Sequence, residues 1–331
     1  MQHTKSENAQ AVLRRTNWIA KDVYVTNAET AGDGNMNLVE RLYLSDGRTL
    51  ILKRARAWVE KYPDIPAPVE RANVEAAFYK AVASTNAGEH MPSHLGFDHG
   101  ECANLFQDLG EGKDGMFAYG RGGELPIDHL NAVADWTSAL HALPVSDDMR
   151  AQFDNKAMRT LNALHIFDFP LDPDNGFSVD EITPGLQSVA DCLKADEAFV
   201  KAVKEVGALY GGASQHSDDV LLHGDLYPGS WIATGDGLFV IDPEFCWIGP
   251  AEWDLGVLIA HLKLSEQPSA LSDQLIKRYG RPLNDSLLQK ITGIEMMRRL
   301  IGVAQLPLEM DLTGKTALLD EARTLVTGSS L

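Results

Sequence analysis

The sequence predicts an α+β protein, a small β-rich part followed by a larger helical one. Two observations carry this reading. Residues 23–55 contain three short strand-like runs, VYVTNA, NLVERLYLSDG and TLILKRA. From about residue 125 onward long segments carry apolar residues at helical spacing, and one strand pair, within residues 221–245, interrupts them.

The elements follow in order. Residues 6–15 read as a short amphipathic helix with Ser6 as N-cap. SDG between the second and third runs is a tight-turn signal, so those runs form a hairpin, and AGDGNMN before them serves as the loop of a preceding hairpin. PAPVERANVEAAFYKAVAST has proline near its start and good helix formers after it, which predicts a helix. ANLFQDLGEGKDG reads as a buried strand running into a polar, glycine-containing segment. Helices are then expected in PIDHLNAVADWTSALHAL, DEAFVKAVKEVGALYGG, AEWDLGVLIAHLKLS and DSLLQKITGIEMMRRLIGVAQL, and residues 168–180 read as a surface loop.

Composition narrows the function classes. With 47 acidic and 29 basic residues the formal charge is −18, which argues against nucleic acid or an anionic membrane as partner. Three scattered cysteines show no metal-ligand or disulfide spacing, which fits a reducing cytoplasm. The first residues lack a long apolar run, so no secretory leader is expected, and no segment has the apolar length of a membrane span.

The chemistry concentrates in LLHGDLYPGSWIATGDGLFVIDPEF, residues 221–245. Asp225 and Asp242 each follow a short apolar run, Pro243 stops the second strand, and Glu244 stands beside it. Three carboxylates near one strand end repel each other unless a cation lies between them. Mg²⁺ takes such oxygens, one or two carboxylates together with phosphate. The expected division is Asp242 and Glu244 for metal, with Asp225 accepting or orienting the proton of a substrate hydroxyl.

H-G-D-x-x-x-x-S followed by I-D-P-E resembles the catalytic and metal loops of the protein-kinase-like small-molecule kinases, a group that includes aminoglycoside phosphotransferases, choline kinases, fructosamine kinases and methylthioribose kinases. Most of these have asparagine where Ser230 stands. The methylthioribose kinases look similar here in both places, with a G-S pair and D-P-E-F. The resemblance implies a bilobal protein-kinase-like fold: an ATP-binding lobe at 1–106, a hinge at 107–110, and a helical catalytic and substrate lobe at 111–331.

The resemblance also implies site residues. GDGNMN, with Gly34 and Asn35, resembles the loop that covers phosphate. Lys53 would reach the α- and β-phosphates, paired with Glu75 on the following helix. Glu70 is the competing acid, but RANVEA is similar to the family helix with the acid at Glu75. Backbone groups of Gln107 and Leu109 would meet the adenine edge. GIEMMRRLIGVAQL resembles the methylthioribose kinase helix whose arginines contact the sugar or nearby phosphate, which points to Arg298 and Arg299. Asp254 resembles an acid that buttresses the catalytic loop. Trp231, Trp247 and Trp253 read as core. Glu244 would supply the metal oxygen that asparagine supplies elsewhere, leaving serine sufficient at 230.

The expected function is ATP- and Mg²⁺-dependent phosphorylation of a small hydroxylated metabolite, 5-methylthioribose or a related sugar. The chain looks shorter than the family in its helical lobe, which leaves another small polyol or sugar open as acceptor. The alternatives are a phosphotransferase for a cationic aminoglycoside or choline, and a nucleotide-binding pseudokinase. A homodimer is compatible with the resemblance.

Overall fold

The computed structural model describes residues 5–32, 36–212 and 216–328. Helix α1 (Lys5–Arg15) begins one residue before Ser6, so that serine lies in the first turn rather than capping it. Strands β1 (Val25–Thr30), β2 (Asn37–Leu44) and β3 (Thr49–Ala55) follow as an antiparallel meander. The β2–β3 turn forms where SDG predicts it, with Gly47 at φ +85° donating its amide to the Leu44 carbonyl. A small hairpin, β4 (Trp58–Val59) and β5 (Tyr62–Pro66), leads into α2 (Arg71–Val82), the short α3 (Asn86–Glu89), β6 (His94–Asp98) and β7 (Ala103–Gln107). The resulting five-stranded sheet has the order β1-β2-β3-β7-β6.

Period-two alternation gives this sheet two different faces. Leu42, Leu44, Leu50 and Leu52 are buried in one cluster with Ala9, Val12 and Leu13 of α1. Full burial of one such leucine stabilises the fold by about 2 kcal/mol. Lys53, one residue out of step with Leu52, projects from the opposite face toward α2.

The remainder is mainly helical. Strand β8 (Gly112–Asp114) is followed by α4 (Ile127–Leu140), α5 (Asp147–Gln152), α6 (Lys156–Ala163), α7 (Leu186–Lys194) and α8 (Glu197–Gly211). Then come β9 (Val220–Leu222), β10 (Trp231–Thr234), β11 (Gly237–Val240) and β12 (Trp247–Gly249). Helices α9 (Glu252–Leu264), α10 (Ser269–Tyr279), α11 (Asp285–Ile301) and α12 (Leu312–Thr327) complete the chain. The expected hairpin is β10–β11, to which β8 adds a third strand, and β9 pairs with β12. Residues 168–180 are not simply surface loop: Pro170, Leu171 and Val179 are buried, and Leu171 and Val179 belong to the core of the helical part.

One apolar cluster runs through both parts. Phe78, Tyr79 and Val82 of α2 and Phe106 of β7 join Trp136 of α4, Leu221 of β9 and Trp231 of β10. The connection after β7 is braced by Arg41 of β2, whose Nε and Nη2 donate to the two Asp108 carboxylate oxygens at 2.8 and 3.1 Å. Among the described residues no helix is long and apolar enough to cross a membrane.

Candidate functional site

Strand β9 delivers His223-Gly224-Asp225 to a loop that is fixed from below. Asp254, fully buried on α9, accepts the amides of His223 and Gly224 at 2.8 and 2.9 Å. Burial alone would raise its pKa, but His141 and these amides hold it below the usual carboxylate value. Gly224 sits at φ +88°, where an added Cβ would lie 2.1 Å from the Phe245 carbonyl oxygen, so only glycine fits. The loop also locks onto the segment carrying Asp242. His223 Nε2 meets the Ile241 carbonyl at 2.8 Å, and the Ile241 amide donates to the Ser230 carbonyl at 2.9 Å. Ser230 Oγ donates to the Asp225 carbonyl at 2.7 Å, which makes the serine a staple of the loop.

The second centre joins the sheet to the loop after β11. Lys53 Nζ lies 2.8 Å from Glu75 Oε1 and 2.6 Å from Asp242 Oδ1. Burial works against the ammonium, but Asp242, Glu75 and Glu244 together hold its pKa well above the ordinary value. Glu75 is pushed up to about 7 by burial, against the attraction of Lys53. Asp242 occupies the left-handed region at φ 62°, and its side chain is 47% exposed. The competing acid Glu70 lies at the N-cap of α2 without a capping hydrogen bond from its side chain.

The third centre is the helix α11 arginine pair. Arg298 Nη2 and Arg299 Nη2 both donate to Asp225 Oδ1, at 2.9 and 3.2 Å. Both arginines are buried. The Tyr227 ring lies under Arg299 at 5.1 Å. Burial of the Tyr227 hydroxyl near Asp225 pushes its pKa up to about 12.

The three carboxylates expected near one strand end instead have separate protein partners. Asp225 faces the two arginines and Asp242 faces Lys53. Glu244 Oε2 accepts from Asn37 Nδ2 at 2.8 Å and pairs with Arg71 Nε at 3.2 Å. The reason is electrostatic: a buried carboxylate needs a charge partner, and α2 brings a fully buried guanidinium beside it. Among the described residues no three His, Cys, Asp or Glu side chains gather as a metal cluster. The half-exposed Asp242 carboxylate nevertheless suits a hard cation shared with phosphate oxygens.

Gly34 and Asn35 lie outside the described residues. Gln107 ends β7, and its amide is taken by the Ser93 carbonyl at 2.9 Å, so an adenine contact there would use its carbonyl. Leu109 lies in the segment braced by Arg41 through Asp108 and the Gly110 carbonyl. Trp231, Trp247 and Trp253 are core residues, as read.

Several residues of the site escape a reading of the sequence. Arg71 and Asn37 hold Glu244. Asn155 Nδ2 donates to the Glu244 and Cys246 carbonyls, both at 3.0 Å, and so shapes the turn. Glu295 and His261 stand behind the arginines. For Glu295 a signal exists: it is an acid in the otherwise apolar GIEMMRR, three and four residues before the arginines.

A β-rich part and a helical part, with a sheet-borne lysine–glutamate pair and an HGD loop interlocked with a DPE turn, define the protein-kinase-like fold. Residues 29–288 match the Phosphotransferase enzyme family, and the chain belongs to that family. It is 31% identical to the methylthioribose kinase of Exiguobacterium sibiricum over 265 residues, covering 76% of this chain and 64% of that protein. It is 26% identical to the methylthioribose kinase of Bacillus velezensis, covering 82% and 77%. The chain thus spans a little under two thirds of the length of the first of these. Among solved structures it resembles the choline kinase LicA from Streptococcus pneumoniae, with TM-score 0.56, 12% identity, and 98% and 100% of the two chains covered. The AMP-bound complex of spectinomycin phosphotransferase gives TM-score 0.58 at 10% identity, covering 99% and 100%.

Proposed function

We propose that the protein is an ATP-dependent kinase that transfers the γ-phosphoryl group to a hydroxyl of a small sugar, 5-methylthioribose or a related one. The observation that carries this reading is the setting of Asp225. Its Oδ1 is held by Arg298 and Arg299, while among the described residues nothing donates to its Oδ2. The loop bearing it is hydrogen-bonded to the segment bearing Asp242.

In this reading residues 1–106 bind ATP and residues 111–331 carry the acceptor. Lys53, kept cationic beside Glu75 and Asp242, neutralises the α- and β-phosphates. Asp242 and Glu244 furnish carboxylate oxygens for Mg²⁺, Glu244 while its Oε2 stays with Asn37 and Arg71. When bound, that ion neutralises phosphate charge. Asp225 orients the acceptor hydroxyl, whose oxygen attacks the γ-phosphorus as the bond to the β-phosphate oxygen breaks, and takes its proton. Arg298 and Arg299 contact the sugar. The names of the relatives support the sugar, and two guanidinium groups beside Asp225 oppose a cationic acceptor.

The test is an ATP-consumption screen over 5-methylthioribose, other pentoses, choline and aminoglycosides. Turnover is expected with methylthioribose or a related pentose. Turnover with choline or an aminoglycoside instead, or Mg²⁺-dependent thermal stabilisation by ATP without turnover on any acceptor, would overturn the reading.

A further inference from the structure

Neighbouring residues on a helix project about 100° apart, yet Arg298 and Arg299 place their Nη2 atoms on the same oxygen of Asp225. Something must draw them together. Glu295, one turn earlier on α11, occupies that position. Its Oε2 accepts from Arg298 Nε and its Oε1 from Arg299 Nε at 2.8 Å. Each guanidinium is therefore gripped at Nε by Glu295 and presents Nη2 to Asp225. Two arginines and two carboxylates balance to zero net charge, which is what a group this buried requires.

Glu295 is itself fixed. His261 Nε2 lies 3.0 Å from its Oε1, and Tyr119 Oη bonds His261 Nδ1. Burial alone would raise the Glu295 pKa, but Arg298 and Arg299 hold it well below the usual carboxylate range, so it is an acceptor only. His261 must then donate from Nε2 and accept at Nδ1 from the tyrosine hydroxyl. A connected network results: Tyr119 donates to His261, His261 and both arginines donate to Glu295, and the arginines donate also to Asp225 on the loop after β9. Its other members come from the turn before α4 and from α9 and α11.

We propose that Glu295 is a positioning residue for phosphoryl transfer: it aligns both guanidinium groups on one oxygen of Asp225, leaving the other oxygen for the acceptor hydroxyl, with His261 and Tyr119 locking it in place. This rests on the reading of Asp225 as the hydroxyl-orienting acid.

The test is steady-state kinetics with ATP and 5-methylthioribose on Glu295→Gln, which keeps the side-chain volume and removes the charge. The acceptor kcat/KM is expected to fall about 100-fold or more, with the ATP KM within about twofold. Adding Glu295→Met to an Arg298→Met, Arg299→Met double variant is expected to cause little further loss, because Glu295 acts only through the arginines. An unchanged acceptor kcat/KM in Glu295→Gln, or a full multiplicative loss in the triple variant, would overturn the proposal. Should Glu295→Gln show no ATP-induced thermal shift, and so be unfolded, His261→Gln decides, with about a tenfold loss confined to the acceptor expected and no loss overturning it. An Asp225→Asn protein that retains its activity would fell both this inference and the function it rests on. A silent Glu295→Gln beside an inactive Asp225→Asn would fell this one alone.

Discussion

Arg71 and Glu244 form a buried ion pair, Nε to Oε2 at 3.2 Å, that ties helix α2 to the turn following Asp242. Three backbone carbonyls accept from the other guanidinium nitrogens, those of Arg56 and Pro68 from Nη1 and that of Met36 from Nη2. Glu244→Gln would keep an acceptor for Asn37 but leave Arg71 without its charge partner. A loss of about 2–3 kcal/mol in unfolding free energy is expected. The Mg²⁺ concentration that half-saturates ATP binding should also rise, because a carboxylate near Asp242 is lost. Calorimetry and a Mg²⁺ titration test the two parts separately. An unchanged melting curve would sink the structural role, and an unchanged titration the metal role.

Asp225→Asn is the sharper probe of chemistry. Asparagine keeps the side-chain shape but cannot take a proton, and it leaves Arg298 and Arg299 facing a neutral group. Turnover should fall by about 10³-fold or more while ATP affinity stays within about twofold. A tenfold effect on kcat would show that another group accepts the proton.

Asp242 and Lys53 can be separated from Asp225 by what they bind. Asp242→Asn weakens the contact with Lys53 and removes the charge offered to the cation. ATP binding should then lose its Mg²⁺ dependence. Lys53→Met leaves Glu75 buried beside Asp242 with no ammonium between them, and ATP affinity should fall by about tenfold or more. Isothermal titration with and without Mg²⁺ distinguishes these outcomes, and a Mg²⁺ response retained in Asp242→Asn would contradict the assignment.

These residues differ in how far their sequence context exposes them. Lys53 is legible because a lysine ends an apolar strand whose hairpin partner is set by SDG, whereas Glu75 is singled out from Glu70 only by the resemblance of RANVEA to the family helix. Asp225 and Asp242 each close a short apolar run, and strand ends are where such acids surface. The partner of Glu244 is not legible in the same way. Arg71 opens α2 like any surface arginine in a first turn, and only the packing of α2 against the turn makes it buried. The pairing of β8 with β10 and of β9 with β12 is hidden for a related reason: three-residue strands carry too few alternations to show a period. Tyr119 and His261 lie in a short turn and in a helix buried all round, where one polar residue gives no hint of its partner.

His261 should give the protein a measurable acid sensitivity. Its ring is fully buried, and burial, reinforced by Arg299, lowers its pKa to about 4 against the opposing pull of Glu295 and Asp225. Tyr119 and Tyr227 are the other groups packed on the ring. In the unfolded chain the imidazole titrates near its ordinary value of about 6.5. Between about pH 4 and 6.5 the unfolded state therefore binds the extra proton and the folded state does not. Stability from this group is complete above about pH 6.5 and is lost as pH falls toward about 4, a difference of up to ~3 kcal/mol. His261→Gln cannot titrate, so its unfolding free energy should fall less steeply over that window than that of the unmodified protein. Urea denaturation of both proteins at pH 4.5, 5.5, 6.5 and 7.5 measures the difference directly. Parallel curves would mean that folding leaves the His261 pKa unchanged, and a steeper fall in His261→Gln would mean that the ring is protonated in the folded state; either outcome would contradict a neutral His261 that accepts from Tyr119.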